Sequence, residues 1–144
     1  MELRVMSARG GSAFGGKKIY LGADHAGYIL KEAIKNYLDS LKIPYEDMGA
    51  FKLDATDDYP DYAVKVAQKV AEGKGRGILV CGSSIGVCIA ANKFKGVYAA
   101  PVTTEREAKV SIEHNNANVI CLSGWNLSVA KVKKILRVWL KTEY

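Results

Sequence analysis

From position 18 onward, short apolar runs rich in β-branched residues alternate with longer stretches that are apolar along one side only. A buried parallel strand is apolar on both faces, whereas a covering helix is apolar along one stripe, so this alternation is typical of βαβ units. The pattern predicts strands at residues 18–23, 45–47, 77–81, 97–100 and 118–122. Helical periodicity predicts helices at residues 29–41, 62–70, 85–92, 105–113 and 128–142.

This order of elements predicts an α/β fold, a three-layer sandwich around a five-stranded parallel sheet of the Rossmann-like or flavodoxin-like kind. In such open sheets, ligands bind beyond the carboxyl ends of the strands, where loops and helix N-termini converge. The residues that follow each strand are therefore the first candidates for a site. These are Asp24 and His25 after the first strand, residues 81–86 after the third and residues 101–105 after the fourth.

The first 16 residues differ from the rest of the chain. They include Gly10, Gly11, Gly15 and Gly16 and lack the apolar centre of a secretory signal. We expect residues 1–16 to be a disordered leader or a remnant of cloning, and residues 17–144 to form a single domain. No apolar run reaches the roughly 18 residues that a membrane span needs, so no membrane partner is expected.

Charge and cysteine content exclude further classes of protein. The net charge is +6, but the lysines are scattered rather than clustered, which favours an anionic small molecule over nucleic acid. Three cysteines, an odd number without metal-type spacing, predict neither a disulfide framework nor a zinc site, and a reducing cytoplasm fits best. Of the three, Cys88 and Cys121 are expected in the core.

The segment Val80-Cys81-Gly82-Ser83-Ser84-Ile85-Gly86 ends a strand and begins a helix, so its backbone N–H groups can hold an oxyanion or a phosphate. A helix N-terminus also favours the thiolate of Cys81, which could then act as a base or a nucleophile. The alternative is an inert buried cysteine. A phosphatase loop is excluded because Val87 stands where the arginine would be, and neither a P-loop nor a dinucleotide fingerprint is present.

His25 and His114 are the only histidines in the chain. Asp24, beside His25, is either a helix N-cap or part of a site. His114 closes a predicted helix, where a histidine also interacts favourably with the helix dipole. Both histidines suit an aldose–ketose isomerase, which needs acid–base groups for ring opening and proton transfer, and donors for enediolate oxygens.

With these residues in view, the chain resembles the ribose-5-phosphate isomerase B family, which includes the galactose-6-phosphate isomerase subunits, over residues 17–144. The resemblance is carried by Gly22-Ala23-Asp24-His25-Ala26-Gly27, Asp58-Tyr59-Pro60-Asp61-Tyr62-Ala63, Gly77-Ile78-Leu79-Val80-Cys81-Gly82, Ile89-Ala90-Ala91-Asn92-Lys93 and Glu113-His114-Asn115-Asn116-Ala117-Asn118-Val119. It implies proton transfer between C2 and C1 of ribose 5-phosphate and ribulose 5-phosphate through a cis-enediolate, without metal or cofactor. It also implies a homodimer or a tetramer, with sites near the interface.

The resemblance also implies roles for individual residues. Cys81 would be the base, Ser83 would assist at the sugar oxygens and His114 would promote ring opening. Backbone N–H groups of Gly82, Ser84 and Gly86 would hold the enediolate oxygen. The sugar would be lined and oriented by Asp24, His25, Tyr59 and Asn115. Asn92 fits a structural or loop-fixing role as readily as a ligand role.

This chain departs from the family pattern in ways that bear on the substrate. Ser84 stands where the family usually has glycine, while Tyr98 and Trp125 stand where many members have arginine. The family's arginine-containing tail does not follow Tyr144. Candidate replacements for phosphate binding are Lys17, Arg106 and Arg137.

Two alternatives to a ribose-5-phosphate isomerase therefore remain. One is an isomerase of another sugar, of the allose 6-phosphate or galactose 6-phosphate type or an unphosphorylated sugar. The other is a non-catalytic sugar-binding homologue, which the presence of Cys81, His25 and His114 together disfavours.

Overall fold

A computed structural model describes residues 18–144; the predicted leader at 1–16 and Lys17 lie outside this range. The described part is a five-stranded parallel sheet covered by helices. The strands are β1 (Lys18–Ala23), β2 (Tyr45–Asp47), β3 (Gly75–Cys81), β4 (Ala99–Pro101) and β5 (Val119–Ser123). The helices are α1 (Tyr28–Ser40), α2 (Tyr59–Ala71), α3 (Ile85–Ala91), α4 (Glu105–Glu113) and α5 (Val129–Lys141).

Each predicted strand and helix exists, and the differences are at the ends. Helix α2 begins three residues before the predicted start, because Pro60 fits the first turn, where its missing N–H costs no hydrogen bond. Strand β4 begins later than predicted, because the N–H of Val97 bonds to the carbonyl of Phe94 in a turn. These shifts leave the order of elements as predicted.

The sheet is the middle of three layers, and its strands alternate between two cores. Ile19, Leu21 and Ala23 of β1 pack in one core with apolar residues of α1, α4 and α5, whereas Tyr20 packs in the other with residues of α2 and α3. Strands β3 and β5 alternate in the same way. Because Cys81 follows Val80, its side chain lies on the α2 and α3 side of the sheet.

The strand order is β2-β1-β3-β5-β4. Its first three strands follow the predicted flavodoxin-like arrangement, while β5 lies between β3 and β4 instead of at the edge. The fully buried β5 suits an interior position, and the short, partly exposed β4, which contains Pro101, suits an edge. The chain leaves β1 toward β2 on one side and returns to β3 on the other, so the topological switch point lies between β1 and β3.

None of the described helices combines the length and apolarity needed to cross a membrane.

Candidate active site

A cavity of about 380 Å³ opens at the carboxyl ends of β1 and β3, next to the switch point. Its volume falls in the range of small-molecule sites, roughly 300–1,000 Å³. It is lined by Asp24, His25, Ala26, Asp57, Asp58, Tyr59, Cys81, Gly82, Ser83, Gly86 and Trp125. The cavity therefore brings together seven of the ten predicted site residues, namely Asp24, His25, Tyr59, Cys81, Gly82, Ser83 and Gly86.

Strand β5 fixes the loop that carries Cys81. Cys81 is paired with Ser123 across the β3–β5 ladder, and its carbonyl accepts a hydrogen bond from the N–H of Gly124 (2.8 Å). The hydroxyl of Ser123 donates to the carbonyl of Gly82 (2.6 Å), which also accepts from the N–H of Trp125 (3.1 Å). Hydrogen bonds to two consecutive carbonyls, those of Cys81 and Gly82, thus hold the backbone here, and Cys81, which is 4% exposed, lines the cavity.

The next residues turn this loop into α3. The hydroxyl of Ser83 accepts a hydrogen bond from the N–H of Ile85 (3.1 Å) while Ser83 lines the cavity. Gly86 also lines the cavity, and a Cβ there would lie 2.7 Å from the ring of Tyr59. Ser84 differs from the prediction: it is buried and does not line the cavity. Its φ of 73° is the left-handed conformation that favours glycine.

Asp24 is not the helix N-cap that the sequence left open, because the N-cap of α1 is Gly27 and has no side-chain cap. The Asp24 Oδ1 accepts hydrogen bonds from the N–H groups of Ala26 (3.0 Å) and Gly27 (3.2 Å), so it stabilises the turn that leads into α1. It also lines the cavity. Burial raises the pKa of its carboxyl group, while the two N–H groups and His25 act in the opposite direction.

His25 is held by Asp57, a residue that the sequence analysis did not single out. Asp57 Oδ1 lies 2.9 Å from the Nδ1 of His25 and also accepts the backbone N–H of His25 at 2.9 Å. The hydrogen bond to Asp57 raises the pKa of the His25 imidazole. Asp57 lies in the loop between β2 and α2, where no periodic pattern marks a functional residue.

The side chains of Asp24, His25 and Asp57 are close enough that one ligand atom from each lies within 4.8 Å of the others. Such spacing could in principle hold a metal ion. However, Asp57 already binds the His25 Nδ1 and Asp24 already accepts two backbone N–H groups. These hydrogen bonds account for the cluster, and a metal-free site remains the expectation.

The structure does not bring His114 and Asn115 into this cavity. Both are exposed and follow α4, at the end of the sheet where β5 begins. Residue Val119, at the start of β5, pairs with Gly77, four residues before Cys81. At about 3.3 Å per strand residue, the start of β5 and the level of Cys81 are roughly 13 Å apart along the strands. The predicted order of elements already implies this separation, because a residue that precedes a strand of a parallel sheet lies at the amino end of that strand, whereas Cys81 lies at a carboxyl end.

Two of the predicted phosphate-binding cations are also outside the cavity, and the third, Lys17, falls outside the described residues. Arg106 and Arg137 are exposed on α4 and α5 and are not among the lining residues. Trp125 does line the cavity and covers Gly82 so closely that a side chain on Gly82 would collide with its ring. Among the lining residues, the carboxyl groups of Asp24, Asp57 and Asp58 are balanced only by His25.

The remaining cysteines and Asn92 have the structural positions that the sequence favoured. Cys88 and Cys121 are buried, and burial raises the pKa of the Cys121 thiol well above its usual value. Asn92 pairs with Ala99 through both ends of its side-chain amide, donating to the carbonyl (2.9 Å) and accepting the N–H (2.8 Å). It therefore extends the sheet beside β4 and does not line the cavity.

Comparison with known proteins gives one consistent result. A family model described as Ribose/Galactose Isomerase matches residues 19–144. The probable ribose-5-phosphate isomerase B of Mycoplasma genitalium is 43% identical, over 88% of this chain and 84% of that protein. The D-erythrulose-4-phosphate isomerase 2 of Mycolicibacterium smegmatis is 37% identical, over 88% of this chain and 86% of that protein.

A solved structure is equally similar. The crystal structure of ribose-5-phosphate isomerase B from Mycoplasma genitalium with bound ribulose-5-phosphate superposes with a TM-score of 0.85. The two sequences are 43% identical, and the match covers 88% of this chain and 85% of that one.

The fold and the cavity define a Rossmann-like protein with a thiol and acid–base groups gathered at the switch point of its sheet. The chain belongs to the Ribose/Galactose Isomerase family, whose pattern spans nearly all of the described residues. It is a sugar-phosphate isomerase by class.

Replacing Ser84 by glycine should stabilise the fold. The left-handed conformation costs a residue with a Cβ about 1–2 kcal/mol, of which the extra freedom of glycine in the unfolded chain cancels about 0.5–1 kcal/mol. We expect Ser84→Gly to raise the free energy of unfolding by about 0.5–1 kcal/mol, measured by urea denaturation. Ser83→Gly is the control: it lacks this relief and removes the hydroxyl that caps α3, so it should lower that free energy. A loss in both variants would contradict the strain at Ser84.

Proposed function

We propose that the protein interconverts ribose 5-phosphate and ribulose 5-phosphate through an enediolate, with Cys81 as the base. The observation that carries the proposal is the Cys81 thiol, which reaches a substrate-sized cavity beside a backbone loop, in a chain of this family. The relative from Mycoplasma genitalium, with ribulose-5-phosphate bound, supports the choice of substrate.

In this reaction the Cys81 thiolate removes the proton on C2 of the open-chain aldose, and the C–H electrons form the enediolate double bond. Returning that proton to C1 gives the ketose, so the thiolate is regenerated and no redox partner is needed. Backbone N–H groups around Gly82 and Gly86 stabilise the developing oxyanion, and Ser83 moves a proton between the sugar oxygens. Preorganised donors of this kind are worth roughly 10²–10³ in rate.

Ring opening requires a further acid–base group, and we assign it to His114 of a second copy of the chain. Within one chain, His114 lies near the amino ends of the strands, whereas Cys81 lies at the carboxyl end of β3. In a homodimer, the end that carries His114 in one subunit can lie against the cavity of the other subunit and supply both His114 and Asn115 to it. The resemblance to the family, which implies a homodimer with sites near the interface, supports this arrangement.

The charge of the cavity favours a second candidate substrate class. Among residues 18–144, its lining contains three carboxyl groups and no lysine or arginine. Carboxylates accept hydrogen bonds from sugar hydroxyls but repel a phosphate dianion. An unphosphorylated sugar is therefore the alternative substrate for the same proton transfer.

Cys81→Ala should abolish proton exchange, because the alanine side chain cannot accept a proton. We expect kcat for ribose 5-phosphate to fall by at least about 10²–10⁴, the usual contribution of a general base. Loss of deuterium from C2-labelled substrate into water is the measurement. Cys88→Ala, which removes a thiol that faces the core, is the matched control and should retain exchange. Near-normal exchange in Cys81→Ala, with an unchanged circular dichroism spectrum, would remove this mechanism.

Mixed dimers should test the shared site directly. Chains carrying Cys81→Ala and His114→Ala are co-expressed with different affinity tags, and dimers that carry both tags are purified. Each mixed dimer contains one site with both groups intact, so we expect about half of the wild-type activity per dimer, while both parent variants remain nearly inactive. No recovery in verified mixed dimers, or a monomer by light scattering at assay concentration, would contradict the proposal.

A comparison of substrates should decide between the two substrate classes. We expect kcat/KM to be highest for ribose 5-phosphate, lower for allose 6-phosphate and lowest for free ribose, because the phosphate contributes binding energy. Turnover is followed by ketose formation for each sugar under the same conditions. Equal or higher kcat/KM for free ribose would favour the unphosphorylated class and leave the role of Cys81 intact.

A further inference from the structure

Asp57 combines three features that its neighbours lack. Its side chain is only 6% exposed, its Oδ1 makes two hydrogen bonds to His25, and its Oδ2 is buried without a direct hydrogen-bond partner among residues 18–144. The Tyr62 hydroxyl is nearby, and burial together with the Asp57 carboxylate raises the pKa of that hydroxyl. A buried carboxylate is costly unless it is paired, so a residue of this kind needs a structural or functional reason. Its position on the wall of the cavity points to function.

The two hydrogen bonds fix His25 in two ways. The bond from the backbone N–H of His25 sets the position of the main chain after β1, and the contact with Nδ1 sets the orientation of the ring. Both go to the same oxygen, so the ring and its backbone are held as one unit. When a histidine donates its Nδ1–H to a carboxylate, its other ring nitrogen, Nε2, points away from that carboxylate.

We propose that Asp57 is a positioning residue that holds His25 as an imidazolium, with its Nε2–H directed as a donor to an oxygen of the substrate. This rests on the proposed function, since it assigns a role within the same site. Within the described part of the chain, His25 is the only lining residue that can supply a positive charge to the cavity. Asp57 thereby gives the cavity a cation that does not depend on lysine or arginine.

The surroundings of His25 agree with this charge state. The groups that face it or its carboxylate partner are Asp24 from the turn after β1, Asp54, Asp57 and Asp58 from the β2–α2 loop, Tyr59 and Tyr62 from α2, and Cys81 from β3. The hydrogen bond to Asp57 is the largest cause that raises the pKa of His25, and Asp24 and Asp54 add to it. Desolvation acts in the opposite direction and is smaller.

Asp57→Asn tests the positioning role, because asparagine keeps the shape and an acceptor oxygen but loses the charge. The chain has two histidines, so ¹⁵N spectra of the imidazole nitrogens are assigned with one His114→Gln variant. In the wild type we expect His25 to titrate above its ordinary value, with Nδ1 protonated throughout. In Asp57→Asn the titration midpoint should move to lower pH, and above that midpoint the imidazolium fraction falls about tenfold for each unit of the shift.

The activity of the same variant should follow this titration. We expect the decline of kcat/KM on the alkaline side to begin at lower pH, mainly through a higher KM. Asp54→Asn is the matched control: it removes the same charge from the same loop, but Asp54 bonds to Thr56 and not to His25. Because Asp54 also raises the pKa of His25, though less than the hydrogen bond to Asp57 does, this control should move the titration and the pH profile in the same direction by a clearly smaller amount.

The outcomes separate this proposal from the proposed function. If Asp57→Asn leaves the His25 titration and the pH profile unchanged and lowers only the melting temperature, Asp57 is merely structural and the proposal is wrong. If the His25 titration shifts as expected but Cys81→Ala retains proton exchange, the link between Asp57 and His25 stands and the Cys81 mechanism does not. Asp57→Ala, which loses shape as well as charge, should show the same shift together with a larger loss of stability.

Discussion

The site depends on the alignment of β3 with β5. Parallel pairing sets Cys81 opposite Ser123, and the carbonyls of Cys81 and Gly82 then accept hydrogen bonds from Gly124, Ser123 and Trp125. These contacts satisfy the backbone where the strand ends, at a place where a buried unpaired carbonyl would be costly. The same contacts hold the thiol at the cavity wall. A different strand at this position in the sheet would remove the support of the loop.

Charge is the second constraint on the site. The cavity collects carboxyl groups, and the structure offsets them by backbone N–H groups at Asp24 and by His25 at Asp57. Two of the three lining carboxylates, those of Asp24 and Asp57, are thus tied to a group that also shapes the cavity. Such an arrangement suits hydrogen bonding to sugar hydroxyls.

Much of this could be predicted because it follows from local pattern. The alternation of apolar strands with amphipathic helices predicted all the described elements, and the positions just after β1 and β3 predicted most of the cavity lining. Asp57 escaped notice because its contact with His25 joins residues 32 apart through a loop without periodicity. The interior place of β5 also escaped notice, since chain order does not determine which strands are neighbours.

The sequence by itself determined the class of fold, the loop that carries Cys81, the core positions of Cys88 and Cys121, and the family. These features depend on the order and spacing of residues along the chain, which can be read directly from the sequence. Only the tertiary structure decided that His25 pairs with Asp57 and that Ser84 is buried in a left-handed turn. Those outcomes depend on how strands align and how loops meet, and distances between segments remote in sequence are fixed only when the whole sheet is assembled.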